Sequence, residues 1–159
     1  MFTNVVWATD GSEHAERARE YATRIAQRDG ATLHVAHVVE KLVGARVAGQ
    51  NANLDEEQLD VRIRRQAEAI AAEHGIDVKL HLITGRTGDV ALRIAEIAHD
   101  TGADLIVIGT RGHSAVVGAV IGSVTQRLLH VAGCAVLAVP PLRAYDAAVE
   151  REPALTTAG

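Results

Sequence analysis

Five short apolar runs, separated by stretches of helical period, limit what this chain can fold into more than any other feature. They are Asn4 to Ala8, Thr32 to Val39, Val78 to Ile83, Asp104 to Ile108 and Ala135 to Val139. Between them the period lengthens to that of a helix. Ala15, Ala18, Ala22, Ile25 and Ala26 form one stripe before Gly30; Leu59, Ile63, Ala67, Ile70 and Ala71 form a second before Gly75; Val90, Ile94, Ile97 and Ala98 form a third before Gly102. Each stripe suits a helix lying on a sheet, and each glycine suits a left-handed stop. Alternation of this kind predicts an α/β fold, a three-layer sandwich with a parallel sheet between helices. The fourth and fifth runs are almost wholly apolar, as strands covered on both faces should be. The third alternates Val78, Leu80 and Leu82 with Lys79 and His81, which predicts an edge strand. With right-handed crossovers and that strand at an edge, the sheet order is 3-2-1-4-5.

Punctuation refines the plan. Asn53 to Glu56 and Ser123 to Gln126 resemble capping boxes, which would start two helices. Residues 40–53 have no period and carry Gly44 and Gly49, so they are expected to form a loop after the second strand. Pro140-Pro141 should end the last strand. Residues 142–159 offer little to bury and are expected to be a flexible tail behind one domain spanning 1–141.

In the order 3-2-1-4-5 the chain reverses direction between strands one and four, where ligands of open α/β sheets bind. The first strand runs out into Ala8-Thr9-Asp10-Gly11-Ser12, the fourth into Ile108-Gly109-Thr110-Arg111-Gly112. After nine intervening residues Gly112 is followed by Gly122, Ser123 and Val124, at a predicted helix start. Glycines after a strand permit positive φ and close approach of N–H groups to an anion. A helix N-terminus adds unpaired donors and a partial positive charge. Together they form a candidate phosphate site. Asp10 reads as an N-cap, as a contact to a sugar, base or metal-bound phosphate, or as both; Ser123 carries the same ambiguity. Arg111 is either a phosphate contact or a solvated loop residue, and Thr110 is a weaker case of the same kind. The apolar spacer His113 to Ile121 should fold over a ligand, pack on another subunit, or form a short core helix.

Other chemistry is poorly supported. The net charge is −4, and Arg62, Arg64 and Arg65 are interleaved with acidic residues, which disfavours nucleic acid as a partner. Cys134 stands alone and reads as a small buried residue. No run reaches the roughly 18 apolar residues of a membrane helix, and no secretory signal is visible, so a cytoplasmic location is expected. Of the eight histidines, only His113 falls near the expected pocket, and none suggests a metal site. A Gly-x-Ser-x-Gly elbow, a phosphate loop ending in Gly-Lys-Ser/Thr and a Gly-x-Gly-x-x-Gly fingerprint after strand one are all missing.

Three features together resemble the universal stress protein family: Thr9-Asp10-Gly11-Ser12 after strand one, His37-Val38-Val39 in strand two, and Gly109-x2-Gly112-x9-Gly122-Ser123 before a final apolar strand. The likeness covers roughly residues 1–140 and is to the ATP-binding branch of the family. It implies an adenine nucleotide alpha hydrolase-like fold. It also implies that Ala8, Thr9, Asp10 and Val38 border adenine and ribose, that Ile108 and Gly109 line the same cleft, and that Gly112, Gly122, Ser123 and Val124 hold the triphosphate of ATP, with Mg2+ as its companion ion. Ala8 stands where some ATP-binding relatives have proline. The resemblance further implies a homodimer joined through the last strand, Ala135 to Val139, which would cover an apolar edge. The leading functional expectation is a nucleotide-binding regulatory protein of the stress response. A slow ATPase or nucleotide-transferring enzyme, and an interaction module with a structural glycine loop, are the alternatives.

Overall fold

Alternate residues of each strand face opposite layers, and that sorts the core into two halves. The computed structural model describes residues 1–41, 50–86, 88–110 and 121–141. In chain order the elements are β1 (Asn4–Ala8), α1 (Glu13–Asp29), β2 (Thr32–Lys41), α2 (Gln50–His74), β3 (Val78–Arg86), α3 (Val90–Asp100), β4 (Leu105–Gly109), α4 (Ser123–Val131) and β5 (Ala135–Val139). All pairings are parallel and the order is β3-β2-β1-β4-β5. Val5, Leu33 and Leu105 share a register row, as do Val6, His34 and Ile106.

The odd-numbered sheet residues Val5, Trp7, Leu33, Val35, Leu105 and Val107 pack on Ala18, Ala22 and Ala26 of α1 and on Ile63, Ala67 and Ile70 of α2. The even-numbered Val6, Ala8, Ala36, Val38, Ile106 and Ile108 pack on Ala91, Ile94, Ile97 and Ala98 of α3 and on Leu128 of α4. The alanine stripe of α1 brings its backbone close to the sheet and leaves room there for Trp7, which is fully buried. Gly30, Gly75 and Gly102 stop their helices with φ of +67°, +63° and +62°. Among the described residues, no helix is long and apolar enough to cross a membrane.

Several boundaries differ from the sequence reading. Glu40 and Lys41 extend β2 by pairing with Gly85 and Arg86, and α2 begins at Gln50, ahead of the capping box expected at Asn53. Neither extension has an apolar pattern to announce it; the register along β3 sets the first. β3 itself continues to Arg86, past Ile83. Cys134 is half-buried rather than enclosed. Burial, followed by the nearby Asp104 carboxylate, raises its thiol pKa and makes the thiolate scarce. The tail at 142–159, Arg111, Gly112, most of the spacer (113–120) and the loop segment 42–49 lie outside the described residues.

Candidate functional site

The carboxyl ends of β1, β2 and β4 open onto one cavity of about 420 Å³. It lies where the crossovers diverge, since β1 sits between β2 and β4. Of the site residues named from the sequence, Ala8, Thr9, Asp10, Val38, Ile108, Gly109, Gly122, Ser123 and Val124 line it, while Arg111 and Gly112 lie outside the described residues. Thr110 does not appear in the lining, although it organises the site from behind.

One end is built by β4 and α4. The Thr110 N–H donates to Val139 O at 2.9 Å, continuing the sheet one residue beyond β4. Thr110 O in turn accepts from the Gly122 N–H at 2.6 Å, which draws the start of α4 onto the end of β4. The buried Thr125 hydroxyl donates to Gly109 O at 2.8 Å and fastens the same joint from within the helix. Gly109 and Thr110 at the exit of β4 and Gly122 at the start of α4 therefore converge, with a change of role for the second glycine. The Gly122 amide is taken by Thr110 and faces no ligand. The N-cap is Gly122 rather than Ser123, and its carbonyl accepts from Gln126 N–H at 2.9 Å. Ser123 is thus the first helical residue. The amides left without intrahelical partners at the mouth are those of Ser123, Val124 and Thr125. Gly109 does not use positive φ, and Gly122 has φ −70°.

The other end is built by β1, β2 and α2. Thr9 N–H donates to Ala36 O at 3.0 Å, and the Nδ1–H of buried His37 donates to Thr9 O at 2.8 Å. His37 therefore locks the chain where β1 ends, and it is also a lining residue of the cavity. The sequence reading placed only His113 near the pocket; His113 lies outside the described residues, and His37 lines the cavity because β2 reaches up to it. Asp10 Oδ1 accepts from the Ser12 N–H at 3.0 Å and from the Ser12 hydroxyl at 2.6 Å. Ser12, not Asp10, is the N-cap of α1, so Asp10 closes a side-chain turn ahead of the helix. Gly11, with φ +72°, is the position in this turn that uses the left-handed region, and the Arg62 guanidinium donates to its carbonyl. Other lining residues carried structural signals in the sequence but none that marked them for the site. Glu56 and Leu59 come from α2, Val90 and Ile94 from α3, and Glu40 from the extended end of β2.

A Cβ on Gly11 would meet Leu59 Cδ1 and come within 2.9 Å of Arg62 Nη2. Gly11→Ala is therefore expected to lower stability by about 1–2 kcal/mol from the left-handed backbone alone, which lowers Tm by roughly 2–8 °C in a domain of this size. Calorimetry against wild type checks this, and an unchanged Tm would remove the assignment of Gly11 as a forced turn.

The cavity has an electropositive helix end over β4, apolar walls from Val38, Ile94 and Ile108, and carboxylates from Asp10, Glu40 and Glu56. Among the described residues no cluster of three or more His, Cys, Asp or Glu side chains could hold a metal ion. The arrangement suits a ligand that is anionic at one end and flat and apolar with polar edges at the other.

Comparison with known proteins agrees with this layout. The model of the universal stress protein family matches residues 1–140. A universal stress protein from Thermus aquaticus is 37% identical over 143 residues, covering 87% of this chain and 99% of the relative. The structure of universal stress protein UspA from Lactobacillus plantarum superposes with a TM-score of 0.69 at 26% identity, covering 86% of this chain and 97% of that one. A universal stress protein solved in complex with cAMP gives a TM-score of 0.64 at 27% identity, covering 87% and 97%. In fold and in sequence, this chain belongs to the universal stress protein family.

Proposed function

We infer that this protein binds an adenine nucleotide and acts as a regulatory module rather than as a fast catalyst. The observation that carries the reading is the cavity that joins the α4 N-terminus to the ends of β1 and β2. The phosphate would sit against the amides of Ser123, Val124 and Thr125, where the helix dipole and unpaired donors favour negative charge. Ribose would lie over Thr9 and Asp10, and the base over Val38 between apolar walls. The relative crystallised with cAMP supports an adenine nucleotide as the ligand class. ATP is the ligand proposed for this chain, with Gly109, Gly112 and Arg111 flanking its phosphates. Mg2+ would enter on the phosphates, because the described residues offer no protein cage for it.

A homodimer through β5 completes the proposal. Among the described residues β5 pairs only with β4, and it leaves Ala135 exposed and Val136, Leu137 and Ala138 half-buried. A second β5 would cover this edge. Ligand occupancy would then be passed to partner proteins through the shape of the dimer or the order of the segment after β2.

Calorimetric titration of the purified protein with ATP and AMP, with and without Mg2+, tests the reading. Saturable binding at micromolar to millimolar concentration is the expected result. No saturable binding at millimolar nucleotide, together with no thermal shift, would sink it.

A further inference from the structure

Glu40 lies at the mouth of the cavity on the even-numbered face of β2, two residues beyond Val38. Its carboxylate is held in place. Oε1 accepts from the Gly88 N–H at 2.8 Å, and Gly88 O accepts from Arg127 Nη1 of α4 at 2.6 Å. Gly88 therefore bridges Glu40 to the helix whose N-terminus forms the anion end of the site. The second carboxylate oxygen has no partner among the described residues. It is an acceptor only, at the rim of an otherwise apolar wall.

Position along the sheet says which part of a ligand it would meet. The anion end stands over β4, because Thr125 and Gly122 are bonded to Gly109 and Thr110. β1 is one strand away and β2 is two, so Glu40 lies about 10 Å across the sheet from the phosphate position. That span matches an extended nucleotide from its 5′-phosphate to the far edge of its base, with Asp10, two residues past the end of β1, at the distance of the sugar. We propose that Glu40 is a specificity-determining residue that accepts a hydrogen bond from the exocyclic 6-amino group of the bound purine. This rests on the adenine-nucleotide reading above and sharpens it: Glu40 is exposed at the rim, the base would be chosen by a side chain anchored through Gly88, and bases without a donor at that edge would forgo a charge-assisted hydrogen bond.

The test is a titration of wild type, Glu40→Gln and Glu40→Ala with three probes: AMP, purine riboside 5′-monophosphate (AMP without its 6-amino group) and 2′-deoxy-AMP. Wild type is expected to prefer AMP over the desamino analogue by roughly tenfold or more. In both variants that ratio is expected to fall to near one. Glu40→Gln keeps an amide oxygen for the Gly88 N–H, so its Tm should match wild type and the ratio will report on recognition alone. An AMP preference that survives both substitutions overturns the proposal while nucleotide binding stands. A loss of discrimination confined to 2′-deoxy-AMP overturns it as well, by moving the contact to the sugar. If wild type binds none of the three probes, the adenine-nucleotide reading fails first and this assignment falls with it.

Discussion

Ser123→Pro is expected to weaken nucleotide binding by roughly 10–150-fold, the worth of one charge-assisted hydrogen bond, while leaving the fold intact. Ser123 is the first residue of α4, where a proline ring is tolerated because the N–H there has no intrahelical acceptor and φ is already helical. The preceding Gly122 has ψ 156°, which a following proline accepts. The substitution therefore removes a single main-chain donor from the proposed phosphate cradle and leaves the Gly122–Thr110 and Thr125–Gly109 bonds in place. Ser123→Ala is the control, since it removes the hydroxyl and keeps the amide; its expected loss is under about tenfold. Equilibrium titration of both variants, with melting curves beside them, reads the difference. Affinity within threefold of wild type for a well-folded Ser123→Pro protein would mean that the α4 amides do not hold the anion.

The largest stability effect is expected in mild acid and comes from the far end of the sheet. His34 of β2 is 3% exposed. Its Nε2 lies 3.2 Å from Asn4 Oδ1, which only accepts, so Nε2 carries the hydrogen. Its bare Nδ1 then accepts from His81 Nε2 of β3 at 3.0 Å. Both rings are neutral in this arrangement, and protonating both would set two N–H groups against each other. Burial is the main cause that lowers the His34 pKa, to about 4; His81 and Lys79 lower it further and Asp77 opposes them. The His81 pKa is lowered too, by burial and then by Lys79.

An unfolded histidine titrates near 6.5. Between that value and the folded pKa, the unfolded chain binds more protons, so stability present at neutral pH is lost as pH falls. For His34 alone the loss is about 2 kcal/mol at pH 5 and about 3 kcal/mol at pH 4. The carboxylates do not blur the upper part of this window. Asp29 is held at about 2, first by its hydrogen bond from Arg28, and the Asp104 pKa is lowered by hydrogen bonds from Thr3 and Asn4. Their contributions fade only below the ordinary carboxylate range. Denaturant titrations at pH 7.5 and pH 5, with NMR of the His34 ring, give the measurement. Equal stability at the two values, or a His34 ring that titrates near 6.5, would contradict the buried neutral pair.

The chain announces much of this architecture through periodicity. Leu33 and Val35 against Ala36 and Val38, or Ala18, Ala22 and Ala26 along one helix stripe, report which way a side chain faces, and that is a local property of spacing. The alternation in β3 was enough to place it at an edge, and the edge was enough to order the sheet. The site was legible to the extent that glycines and small polar residues cluster at strand exits. Glu40, Glu56 and His37 were not legible as cavity residues. Glu40 looked like the start of a loop, Glu56 like half of a capping box, and His37 like part of the His37-Val38-Val39 strand motif with no role of its own.

Hydrogen-bond partners were the harder part. Asp10 and Ser123 both had the look of N-caps, and each sits one or two residues from the true cap, because Ser12 and Gly122 hold the extended backbone that a cap requires. The Gly122 amide looked available to a ligand and is instead bonded to Thr110. From the residues alone came the five strands, their order, the helix stripes and the family. Tertiary structure alone decided which amides remain for an anion, which histidines share a proton and which carboxylate is anchored at the mouth. The reason is physical: burial periodicity is written in neighbours along the chain, whereas a donor's partner depends on the register between segments that are distant in sequence and meet only when the sheet has formed.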